Sequence, residues 1–205
     1  MYEERNKIHS GQTYSVAYDN LGQVTSVMRL TMFFYDDKIK QYESLLDYDA
    51  ILQYLESIVG INQNEIIPTI IGYAWYFCDE GDVNVQPKQY NYEFYLQTWK
   101  KYIDIGIEQY TGNAAFDFIA GYTLSLSGIY LDAFYGVNYE KKGIILMEKC
   151  LQISNGTLIG QLAENFLLNE KSKKYIYMEN CKSLCDQLFD KGSLLDSYFR
   201  EIYIK

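Results

Sequence analysis

The chain contains little that bends a backbone and little that performs common chemistry. Its 205 residues include two prolines and a single histidine, His9. One imidazole, far in sequence from the cysteines, argues against a zinc site, and no metal or other cofactor is expected. A nucleophile–histidine–acid triad is excluded unless His9 serves, and a general base in that polar terminus has little to recommend it. The patterns GxSxG, HExxH and the phosphate-binding P-loop are absent. There is no CxxC pair among Cys78, Cys150, Cys181 and Cys185. Cys181 and Cys185 are one helical turn apart, a spacing that suits a disulfide poorly. The cysteines therefore read as free thiols of a reducing cytosol. No run approaches the 18 apolar residues of a membrane span. "MYEERNKIHS" at the start has no apolar signal-peptide core, so a cytoplasmic location is expected.

Positive charge is also missing over a long stretch. From Gln41 to Pro87 there is no Lys or Arg, while Glu43, Asp47, Asp49, Glu56, Glu65, Asp79, Glu80 and Asp82 all fall there. The net charge of the whole chain is −9. Such a field repels nucleic acid and anionic lipid, and it steers a basic protein partner. What is abundant is tyrosine, with 22 copies, within a chain that is 48% apolar. Tyrosine suits half-buried positions and binding surfaces. The apolar content can bury a sizeable core, and the length fits one domain over residues 1–205 or one short array of repeats.

Helical spacing dominates the pattern. Ile51, Leu52, Leu55, Ile58 and Val59 form one stripe; Asp47 or Asp49 is placed to cap it, and Gly60 to end it in the left-handed conformation. Asn64 is placed to cap the next helix, which tolerates Pro68 near its start and runs to about Gly81. Phe94, Tyr95, Trp99, Tyr102, Ile103 and Ile107 mark another. "AAFDFIAGYTLSL" is apolar nearly all round, so it should be central. "YEKKGIILMEKCLQI" is amphipathic, and residues 169–205 should form a helical C-terminal cap. The first 22 residues are ambiguous: "QTYSVAYDN" alternates like a strand, whereas Val24, Val27, Met28, Thr31 and Tyr35 have the spacing that predicts a helix from about Val24. The expected fold class is all-α, built of stacked antiparallel helical hairpins, with a short irregular or β-like N-terminal segment as an option.

Two segments correspond. "TIIGYAWYF" and "FIAGYTLSL" align Gly72-Tyr73 with Gly121-Tyr122 at an offset of 49. "WKKYIDIG" and "MEKCLQIS" align at an offset of 48. Two related hairpins are therefore expected over residues 65–168, with each glycine admitting a close helix approach and a third, degenerate pair following. "GIILMEKCLQISN" resembles the second helix of a tetratricopeptide-type repeat, with Gly143, Met147, Cys150 and Asn155 at matching positions. "GYTLSLSGIYL" departs from that pattern by leading into an extra loop, "DAFYGVNYE".

The carboxylates of "CDEGD", Cys78 to Asp82, could hold a cation or act as an acid–base pair, but the stretch lacks the ligand alternation of an EF-hand. It reads more simply as a solvated helix end or an acidic docking surface, and no enzyme is expected. Tyr90, Tyr92, Tyr95 and Trp99 cluster at one helix start, where exposed members would be binding anchors. The expected partner-binding face comprises Glu43, Asp47, Asp79, Glu80, Asp82, Tyr90 and Tyr92. In size, acidity and the hairpin "GY-x-L-S-L … EKKGI-x-L-M-EKCL" the chain is similar to small bacterial immunity proteins of contact-dependent inhibition and related polymorphic toxin systems. That resemblance implies one-to-one neutralisation of a basic, nuclease-like toxin domain. The other readings are a tetratricopeptide-like adaptor or secretion chaperone binding a peptide segment, and a metal-dependent enzyme using Asp79, Glu80 and Asp82.

Overall fold

A computed structural model of the chain describes residues 4–9, 12–18, 24–29, 32–79, 90–172, 184–190 and 192–204. Its body is all-α. The helices are α1 (Asp37–Ser44), α2 (Tyr48–Ile58), α3 (Gln63–Asp79), α4 (Tyr92–Gln109), α5 (Ala114–Tyr135), α6 (Tyr139–Ile153), α7 (Leu158–Ser172), α8 (described over residues 184–188) and α9 (Leu194–Ile204). Ahead of them stands an antiparallel meander, β1 (Glu4–His9), β2 (Gln12–Tyr18) and β3 (Val24–Arg29), in that spatial order. The register pairs Arg5 with Val16 and Val16 with Val27.

Short polar side chains start the helices. The Asp36 carboxylate accepts from the Lys38 and Ile39 N–H groups, and Asp47 does the same for Ala50 N–H. Asn91, Asn113 and Asn138 cap α4, α5 and α6 through Phe94, Phe116 and Lys141 N–H. Each supplies an acceptor to a first-turn N–H that has no partner within the helix.

The core is organised around α5, whose residues Phe116 to Leu124 are all buried. Two tryptophans from neighbouring helices lie against it with no exposure. A buried indole needs a partner for its N–H. Trp75 of α3 donates to Ser127 Oγ at 2.9 Å, and Trp99 of α4 donates to Thr123 Oγ1 at 3.3 Å. On its other side α5 runs antiparallel to α6 at very close range. A Cβ on Gly121 would lie 2.9 Å from Met147 N, and one on Gly143 would lie 2.5 Å from Ser125 N. Only hydrogen fits at those two positions. The tail returns to the start of the helical body: Phe199 of α9 packs with Phe33, Phe118, Tyr122 and Phe189 at ring separations of 5.0–6.4 Å.

Several local expectations are corrected. The segment from Val24 is strand β3, not helix. Val24, Thr25 and Val27 are β-branched, and pairing with β2 outweighs a helical spacing that continues only into Thr31 and Tyr35. The strand-like reading of "QTYSVAY" matches β2. Gly60 is not left-handed; α2 closes at Val59 in right-handed geometry. Helix α3 begins at Gln63, so Asn64 lies within it. "DAFYGVNYE" is not a long loop. Helix α5 continues to Tyr135, Gly136 ends it with φ +65°, and α6 resumes at Tyr139. Gly72 admits the Leu195 and Phe33 side chains, whereas Gly121 admits a backbone. The two glycines aligned in sequence thus do different work.

Candidate protein-interaction surface

Carboxylates at both ends of α1, Asp36 and Glu43, accept hydrogen bonds from tyrosines of the same chain. Glu43 is the clearest case. One carboxylate oxygen accepts from Tyr73 Oη at 2.5 Å and from Leu194 N at 2.8 Å; the other accepts from Tyr35 Oη at 2.9 Å. The residue thereby ties α1 to α3 and to the first turn of α9. Tyr73 has no exposure, and burial followed by the Glu43 charge holds its phenol well above the usual range. Tyr54 donates to Asp36 at 2.5 Å and Tyr139 donates to Asp104 at 3.0 Å. Burial and a hydrogen bond to Asp49 likewise raise the Tyr95 phenol. Ion pairs among the described residues are Lys100–Asp104, Lys101–Glu56 and Arg200–Asp186. Tyrosine bonds fix carboxylates without neutralising them, because the phenol stays uncharged.

The expected partner-binding residues accordingly separate. Glu43 is half-buried with its oxygens engaged, and Asp47 caps α2. Asp79 ends α3 half-buried, and desolvation raises its carboxyl pKa against an opposing hydrogen bond from Ser127. The same hydroxyl accepts from the Trp75 indole. Tyr90 is exposed and meets Tyr95 edge-on at 5.6 Å, with Tyr92 at 6.4 Å. Burial, followed by the charges of Cys78, Tyr130 and Asp79, raises the Tyr92 phenol. Glu80 and Asp82 lie outside the described residues, as does Cys181. Structure thus pairs Tyr90 with Tyr92 at the start of α4, leaves Asp79 at the end of α3, and gives Glu43 and Asp47 internal duties.

Little in this region is activated for chemistry. Burial pushes the Cys78 thiol far up, and Cys150 up to about 12, the opposite of a reactive thiolate. No group of three or more His, Cys, Asp or Glu side chains among the described residues is arranged to hold a metal ion.

Sequence reasoning missed an apolar stripe on the outer half of α5. Leu126, Ile129, Tyr130 and Phe134 are 46, 60, 48 and 65% exposed, and Val137, just past the helix, is 38% exposed. Their spacing of three and four residues was present in the sequence, but it is visible only if the helix is carried past Leu131. Among the described helices α5 has the length and apolarity to cross a membrane, and 67% of its most apolar window is buried by the protein's own side chains. Compared with protein-family models, curated proteins and solved structures, the chain matches none.

Proposed function

We propose that this chain is a protein-binding inhibitor of the immunity type, neutralising a basic bacterial toxin domain by one-to-one binding. The observation that supports this reading is the fixed, un-neutralised acid. The net charge is −9, and carboxylates such as Glu43 and Asp36 are held by tyrosines rather than by cations. A negative field anchored in rigid positions speeds capture of a cationic partner without the ordering penalty of mobile side chains. The peptide-adaptor reading has less support. A peptide seat across α3 and α5 would need an open face, and α9 lies there, with Tyr198 against Trp75 and Tyr76 and Phe199 against Phe118 and Tyr122.

The test is titration calorimetry against the C-terminal domain of the product of the adjacent upstream gene, at low and high salt. The proposal expects one-to-one binding, nanomolar or tighter, that weakens as salt rises. Absence of binding, or micromolar binding indifferent to salt, would remove it.

A further inference from the structure

Helix α5 changes character along its length. Its first half is core, whereas in the second half Leu126, Ile129, Tyr130 and Phe134 fall at i, i+3, i+4 and i+8, along one exposed face, and exposed Val137 follows just past the Gly136 cap. The other outward position within that stripe is Ala133, so the face carries no charge of its own. Large side chains gathered on one helix face are unusual on a protein surface that contacts only water. Among the described residues none covers them.

Carboxylates lie at the far end of the stripe. Beyond Val137 the α5–α6 turn forms an open groove of about 600 Å³, where Asp132 and Glu140 outnumber Lys141 and where Ile144 extends the apolar floor. Asp132 holds its place by accepting from the Tyr139 and Glu140 backbone N–H groups.

We infer that this exposed face of α5 is a docking surface for a folded basic protein that presents an apolar patch rimmed by Lys and Arg. Tyr130 and Phe134 are the central anchors, since aromatic side chains in the middle of a patch carry most binding energy. Asp132 and Glu140 at the α6 end match a cationic rim. The same charge argues against a second copy of this chain as occupant, because each copy brings a net charge of −9. The inference takes the class of partner from the proposed function but does not require that partner to be a toxin.

The experiment places a photoreactive amino acid at position 130 or 134 of the full chain, and at exposed Gln53 as control, in cells carrying the natural gene. The expected result is a cross-link from 130 and 134, not from 53, to one protein of basic isoelectric point. Calorimetry with that purified protein should then give one-to-one binding that the double variant Ile129→Asp, Phe134→Asp weakens by about 100-fold. Both side chains are exposed, so the melting temperature of the double variant should match the parent. A cross-link between two copies, a cross-link only to acidic proteins, no cross-link, or an unchanged affinity would each overturn the inference. A basic partner without toxic activity would keep the docking face and remove the immunity reading. A toxin that binds the double variant unchanged would do the reverse.

Discussion

Asp117, in the first turns of α5, carries a carboxylate into a place that only half accommodates it. The side chain has no exposure. One oxygen accepts from Gly112 N at 2.9 Å, and the other has no hydrogen-bond partner among the described residues. Burial raises its pKa from 3.8 to about 6, against the Gly112 hydrogen bond and the distant pull of Lys149, both of which lower it. The folded state therefore binds this proton more tightly than the unfolded state does. Its stabilising contribution is fully present below the unfolded value of 3.8 and is lost as pH rises through about 6. A rise of roughly two pKa units corresponds to about 3 kcal/mol at neutral pH. Asp117→Asn imitates the protonated form and keeps an acceptor toward Gly112 N. Its amide N–H₂ would stand where the unpartnered oxygen is, which costs about 1–2 kcal/mol. The expected net gain at pH 7.5 is about 1–2 kcal/mol, or about 2–8 °C in melting temperature for a chain of this size. Urea unfolding at pH 7.5 and at pH 5 measures both arms. The parent should gain on the variant as pH falls. A variant less stable than the parent at pH 7.5, with a stability difference that does not change with pH, would refute the reasoning.

Three further expectations follow from the packing. Glu43→Ala leaves the buried Tyr73 hydroxyl and Leu194 N without their acceptor, and should destabilise by about 2–4 kcal/mol in urea unfolding, while an effect below about 0.5 kcal/mol would mean that the residue is surface charge only. Gly121→Ala forces a methyl against Met147 N and should cost about 1–3 kcal/mol, whereas Gly60→Ala meets nothing within 4 Å and should be neutral or slightly stabilising; equal effects would contradict the close α5–α6 seam. Cys78 and Cys150 should react with iodoacetamide in the native protein far more slowly than a free thiol at pH 8, and prompt alkylation would show that their burial is overstated.

The helical body was legible because its signals are local and repeated. Apolar residues at three- and four-residue spacing, with Asp47 one residue ahead of Tyr48, carry α2 almost to the residue. The all-round apolar character of "AAFDFIAGYTLSL" correctly marks the centre, because a helix with no polar face must be enclosed. What was not legible depends on contacts distant in sequence. Nothing near Val24 announces that its partner is β2. Glu43 looks like surface acid until Tyr73 and Leu194, 30 and 151 residues away, are placed beside it. The outer half of α5 was hidden by treating Asp132 to Glu140 as loop, since Gly136 stops the helix later than the polar residues imply. Where Tyr90 and Tyr92 sit was half readable: their clustering was visible, and the edge-on contact of Tyr90 with buried Tyr95 was not.

The central claim is that the fixed acid of this chain captures a basic protein. It is tested most directly by calorimetry of the full chain with the adjacent gene's C-terminal domain, repeated across a series of salt concentrations. The account predicts one-to-one binding, nanomolar or tighter at low salt, with affinity falling steadily as salt rises. No heat of binding, or an affinity that holds level through the series, would contradict it.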